Sequence, residues 1–169
     1  VTIVGAGVLG LWQAFELARR GFPVTVREAA TADHAGASSR YAGAMLAPYC
    51  EAEAAEPIVE QLGLAAIERW IAAYPGVSRS GTLVVAAARD HGELSRFARM
   101  TRGHHTIDEP ALRALEPDLA DRFARGLYYP AEAHLAPRPA LAFLAGEIER
   151  LGGEIRYGAP VAEPLHMAA

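Results

Sequence analysis

A short, largely apolar run from Val1 to Val4 opens the chain and stops at Gly5, the pattern of a strand buried on both faces. The period then changes. Leu11, Ala14, Phe15 and Ala18 recur at helical spacing, with Gln13, Glu16, Arg19 and Arg20 on the wet side, and Gly21 stops the helix. Val24 and Val26 alternate with Thr25 and Arg27, which predicts a second strand delivering Glu28 at its carboxyl end. A small-residue loop from Ala29 to Arg40 follows, and Ser38 to Glu53 is apolar and small where a surface linker would be polar.

Farther along, Pro57 to Tyr74 predicts a helix buried through Ile58, Leu62, Ala65, Ala66, Trp70 and Ile71, broken by Pro75 and Gly76. Ser80 to Ala88 has strand composition, and Asp90 caps a helix from His91 to about Met100. A short helix from Glu109 to Leu115 closes at Pro117. Gly126 to Pro130 reads as a strand with Tyr128 and Tyr129 facing opposite ways, core packing being the favoured fate of these rings. Pro137 and Pro139 start a last helix with Leu141, Phe143, Leu144, Ile148 and Leu151 inward. Gly152 and Gly153 end it, and a strand with Ile155 and Tyr157 on one side runs toward Val161. Helix, glycine stop and strand in that order form a crossover feeding the opening sheet.

The opening pattern carries chemistry. Gly5, Gly7 and Gly10 fall at G-x-G-x-x-G spacing between the first strand and its helix: Gly5 for the tight turn, Gly7 for close approach of a pyrophosphate, Gly10 for helix on strand. The amides of Val8 and Leu9 lie in the first helical turn, where unpaired N–H groups and the helix dipole attract phosphate. Glu28, about twenty residues on, suits ribose hydroxyls and repels a 2′-phosphate, which disfavours NADP. NAD and FAD stay level on this evidence alone.

Composition narrows the class. With 169 residues, net charge −4 and 51% apolar residues, the chain is globular, and it lacks the basic tracts that nucleic acid or an acidic membrane surface would require. No apolar run is long enough to cross a bilayer. The single cysteine, Cys50, excludes an internal disulfide and agrees with a reducing, cytoplasmic setting. His104 and His105 are adjacent, unlike a metal pair, so no metal is expected, and Glu51, Glu53 and Glu56 read as a solvated acidic cluster. Val1 already lies in a strand and the chain stops soon after a new element, so a fragment of a longer protein is expected.

The glycine turn, Glu28 and the stretch SSRYAGAMLAP from Ser38 to Pro48 together resemble the glycine oxidase and D-amino-acid oxidase family of FAD enzymes. The resemblance implies an α/β fold: a Rossmann-like FAD domain (residues 1–75 and 135–169) carrying an inserted part of an α+β substrate domain (76–134). It implies that Ser38 and Ser39 donate to the phosphate and ribityl region, that Gly43, Ala44 and Met45 run along the flavin, that Ala29 joins Glu28 in the cofactor-binding set, and that the backbone of Val161 meets the adenine. The family more often has alanine then glycine before the methionine, whereas this chain has Gly43 then Ala44. The implied activity is oxidative deamination of a small amino acid or amine, with hydride passing to flavin N5 and electrons to oxygen as hydrogen peroxide, an activity that would serve thiamine biosynthesis. A homo-oligomer is compatible with this. The family's catalytic arginine and tyrosine lie in a later half, so no catalytic residue is assigned. Two other readings stay open: an NAD-dependent dehydrogenase domain, which leaves Ser38 to Met45 unexplained, and a non-catalytic nucleotide-binding fragment.

Overall fold

The structure, a computed structural model, describes residues 1–162, with backbone alone for His91 and Ala120. In chain order the elements are β1 (Thr2–Val4), α1 (Val8–Arg19), β2 (Thr25–Arg27), a 3-10 turn (Ser38–Tyr41), β3 (Met45–Leu46), α2 (Pro48–Glu51), α3 (Pro57–Ala73), β4 (Val77–Ser78), β5 (Thr82–Val85), a second 3-10 turn (Ala88–Asp90), α4 (His91–Met100), β6 (His105–Asp108), α5 (Glu109–Leu115), α6 (Pro117–Ala120), β7 (Arg125–Tyr129), β8 (Ala133–Leu135), α7 (Pro137–Arg150) and β9 (Glu154–Arg156). Contacts divide this mixed α/β chain into two compact units, Val1–Ala44 together with the segment from Ala136 onward, and Met45–Leu135.

The first unit is built on a parallel sheet of order β1-β2-β9, with Ile3, Val26 and Ile155 in one row across it. Helices α1 and α7 pack on each other, and Leu11, Ala14, Phe15, Ala18, Val26, Leu141, Leu144 and Ile148 form the core. The helical faces expected from the period are the buried ones. Both helices end alike: Gly21 (φ +82°) and Gly152 (φ +86°) take the left-handed conformation, and the next residue, Phe22 or Gly153, donates back to Leu17 or Ile148. Strand β1 departs from expectation. Val4 is 55% exposed, because among the described residues the helices cover one side of the sheet and the other carries Thr25, Arg27, Glu154 and Arg156. The last strand is also shorter than predicted and ends at Arg156.

The second unit is α+β. One antiparallel sheet has the order β3-β8-β4 and another β5-β7-β6, with α4 packed on β7. Leu94, Leu127 and Tyr129 form its central cluster, so Tyr129 is a core ring, while the Tyr128 hydroxyl donates to Ser80 O at 3.1 Å. Helix α3 is where predicted but turned. Ile58 and Leu62 are exposed (50% and 61%), and the buried stripe is Glu60, Ile67 and Trp70. Two contacts set that rotation: the Arg102 guanidinium binds the Glu60 carboxylate, with Nε at 2.7 Å, and Gly63 lies so close to Pro48 that a β-carbon would meet the proline Cβ at 2.6 Å. Helix α3 packs on α2 and β3 and so belongs to the second compact unit. Pro117 opens α6 as well as closing α5.

Candidate functional site

The glycine turn takes its shape from β1 and β2. Gly5 (φ +94°) donates its N–H to Arg27 O at 2.8 Å, so the chain leaves β1 still tied to β2, and the turn needs the conformational freedom of glycine. A β-carbon on Gly10 would meet Gly5 O at 2.0 Å, which fixes glycine at the helix–strand contact. A β-carbon on Gly7 would point at Ser39 Oγ, 3.4 Å away, into the space above the first turn of α1. Among the described residues the N–H groups of Gly7 and Leu9 have no acceptor. Unpaired donors at the N-terminus of a twelve-residue helix attract anions.

The loop after β2 wraps this turn. Glu28 is 8% exposed; its Oε2 accepts the Ala6 N–H at 2.6 Å and its Oε1 the Ala30 N–H at 2.7 Å. Burial works against its charged form, but the amides of Ala30, Ala6 and Ala29 and the nearby His34 outweigh that, and the carboxyl is held below its ordinary value. An ionised carboxylate offers about four lone-pair sites, more than these amides use, so acceptor capacity is left for a ribose hydroxyl. Ser39 Oγ accepts the Val8 N–H at 3.1 Å, which leaves the serine O–H to donate elsewhere.

The sequence-derived set is therefore brought together unevenly. Gly5, Gly7, Val8, Leu9, Gly10, Glu28, Ala29 and Ser39 converge on one turn. The return segment joins them: Ala159 N donates to Glu28 O at 2.8 Å, Gly158 N to Ala30 O at 3.0 Å, and Arg27 Nη2 to Pro160 O at 3.2 Å, which sets half-buried Val161 beside this edge. Ser38 is exposed and makes no hydrogen bond to the turn. Gly43 and Ala44 belong to the same unit without a hydrogen bond to the turn, and Met45, 57% exposed, begins β3 of the second unit. The residue before Met45 bears the positive φ: Ala44 sits at +49°, whereas Gly43 has open space around its α-carbon. The left-handed position thus falls where the family more often has glycine. Beyond Ser39, a cavity of about 390 Å³ opens between Arg40, Tyr41 and Ala42 and the start of α7 at Pro137.

Sequence reading missed His34, whose Nδ1 lies 3.2 Å from Ala6 O. It also missed a buried polar group in the second unit, where Cys50 N donates to Glu132 Oε1 at 2.9 Å and the Tyr129 and Thr101 hydroxyls meet at 2.7 Å. Burial, then the charge of Glu132, pushes the Cys50 thiol far up, so it stays protonated and is no nucleophile. Among the described residues no group of three His, Cys, Asp or Glu side chains could hold a metal ion, and no helix is long and apolar enough to cross a membrane.

The turn therefore fits an adenosine diphosphate moiety: free amides and a hydroxyl at the helix N-terminus, a glycine at the point of close approach, and a charged acceptor at the end of β2. Comparisons agree. A Rhizobium etli protein, provisionally named a thiamine biosynthesis oxidoreductase, ThiO, is 55% identical over 150 residues, covering 88% of this chain and 46% of that one. Glycine oxidase from Geobacillus kaustophilus shares the fold at a TM-score of 0.71 and 22% identity, over 93% of this chain and 46% of its own. The FAD-bound L-α-glycerophosphate oxidase of Mycoplasma pneumoniae does so at 0.76 and 18%, over 95% and 45%. The chain thus spans about half the length of these relatives. Residues 1–167 match the family described as FAD dependent oxidoreductase, and the chain belongs to that family.

Proposed function

We propose that this chain is the cofactor-holding half of a cytoplasmic, glycine oxidase-like enzyme that oxidatively deaminates a small amino acid or amine with molecular oxygen and serves thiamine biosynthesis. The observation that carries the reading is the joint geometry of the glycine turn, Glu28 and Ser39, in a chain 55% identical to a protein named for thiamine biosynthesis. When bound, FAD supplies the acceptor for the substrate's hydride and the route for electrons to oxygen, giving hydrogen peroxide.

This chain's residues do the holding. The Gly7 and Leu9 amides and the Ser39 hydroxyl donate to the pyrophosphate. Glu28, braced by Ala6 and Ala30, takes the ribose hydroxyls and keeps a 2′-phosphate out by charge. Gly5 and Gly10 shape the turn, and Val8 and Ala29 complete its two walls. The Val161 backbone borders the adenine, and Ser38, Gly43, Ala44 and Met45 line the path toward the flavin ring. No residue here is assigned a catalytic proton transfer.

Purified full-length protein tests the reading. It is expected to be yellow, with an absorption band near about 450 nm from bound flavin, and to release hydrogen peroxide with glycine or sarcosine. Colourless protein that ignores FAD and binds NADH would overturn it.

A further inference from the structure

We propose that His34 is a positioning residue of this grip: it holds the Ala6 carbonyl and so fixes the Ala6–Gly7 peptide with the Gly7 N–H turned outward to a phosphate, an inference that rests on the FAD reading above. His34 is 5% exposed and, though not glycine, adopts φ +58°. A side-chain-bearing residue keeps that left-handed conformation only where its surroundings dictate it. Its Nδ1 is 3.2 Å from Ala6 O. A carbonyl oxygen only accepts, so Nδ1 carries the hydrogen and the tautomer follows from the partner.

The consequence lies in the planarity of the amide. In a trans peptide the C=O of one residue and the N–H of the next point opposite ways. Pinning Ala6 O toward His34 therefore directs the Gly7 N–H away from it, and that N–H has no acceptor among the described residues. Glu28 Oε2 holds the Ala6 N–H from the other side, so both polar groups of Ala6 are fastened by the loop after β2. The residue is itself held in backbone and ring. His34 N donates to Thr31 O at 3.1 Å, its own carbonyl accepts from Ala37 N at 2.9 Å, and the Tyr157 ring stands edge-on at 6.0 Å. Asp33 accepts from Thr31 Oγ1 at 2.6 Å and pairs with Arg40, which ties the histidine turn to the 3-10 turn bearing Ser39.

Two variants of the full-length protein separate the ring's hydrogen bond from the backbone conformation. His34→Gly keeps the left-handed backbone without strain and loses the donor; His34→Asn tolerates the same backbone and keeps a side-chain N–H. In His34→Gly the FAD dissociation constant should rise roughly 3- to 10-fold, the worth of one hydrogen bond, and amide exchange across Gly5–Val8 in cofactor-free protein should quicken by a similar factor. His34→Asn should fall between that variant and the native protein in both measurements. Native exchange and native affinity in His34→Gly would overturn the proposal, as would His34→Asn no better than His34→Gly. Native protein that takes up no FAD sinks the functional reading instead, and the exchange comparison still decides the clamp.

Discussion

Ser39 Oγ accepts the N–H of Val8 at 3.1 Å across thirty-one positions of sequence, so the 3-10 turn serves as a cap for α1. The adjacent Ser38 has no such bond and is exposed. Two serines that look interchangeable in sequence therefore differ in geometry. Ser39→Ala should weaken FAD binding by about 1.5 kcal/mol or more, the value of a hydrogen bond to a charged group, while Ser38→Ala stays within about 0.5 kcal/mol of native. Fluorescence titration of FAD into the cofactor-free protein measures both, and equal losses would refute the distinction.

Glu28 links the site to acid stability. Its folded carboxyl lies below the ordinary value of 4.5, so it contributes stability that is present above about pH 4.5 and is lost as pH falls through the folded value. Glu28→Gln should flatten that acid limb in urea melts and, by setting an NH₂ against one of the two amides, cost about 1–3 kcal/mol at neutral pH. An acid limb as steep as the native one would show that Glu28 does not carry it.

The left-handed conformation at Ala44 predicts a gain. An L-residue there costs about 1–2 kcal/mol, and glycine gives back about 0.5–1 in chain entropy, so Ala44→Gly should stabilise by up to about 1.5 kcal/mol. Gly43→Ala, with open space at its α-carbon, should be near neutral. Thermal melts of the two variants check the pair, and a lowered Tm in Ala44→Gly would contradict the assigned backbone.

Cys50 should be sluggish. With its thiol held protonated by burial and by Glu132, alkylation at pH 8 is expected to run at least about tenfold slower in folded than in unfolded protein. Glu132→Gln should quicken it by removing the neighbouring negative charge, while burial still slows it. Rapid labelling of the native protein would disprove the buried, neutral thiol.

Legibility in the sequence followed period and length. Helices α1 and α7 repeat their apolar positions over several turns and end on glycine, so their inner faces were readable. The two-residue strands β3 and β4 are too short to show any period, and both exist through pairing with β8. Helix α3 had a readable extent and a misleading face, because Glu60 is drawn inward by Arg102, a partner that spacing does not reveal. At the candidate site, the turn shape at Gly5 and Gly10 and the placing of Glu28 beside it were legible, since they follow from backbone conformation and strand length. His34 was not: its role depends on a left-handed turn and on a carbonyl twenty-eight positions away.

Strand β9, the third member of the opening sheet, is separated from β2 by the whole of Met45–Leu135. On the ribosome β1 and β2 therefore emerge well before β9, and the edge that ties Pro160 to Arg27 closes only after the 133 positions between them have been bridged. Closing so long an interval costs little more than closing a shorter one, since the entropy grows only with the logarithm of length. The wide separation is one of order along the chain rather than a large cost in stability: the glycine turn and the edge that completes it bracket the whole second unit.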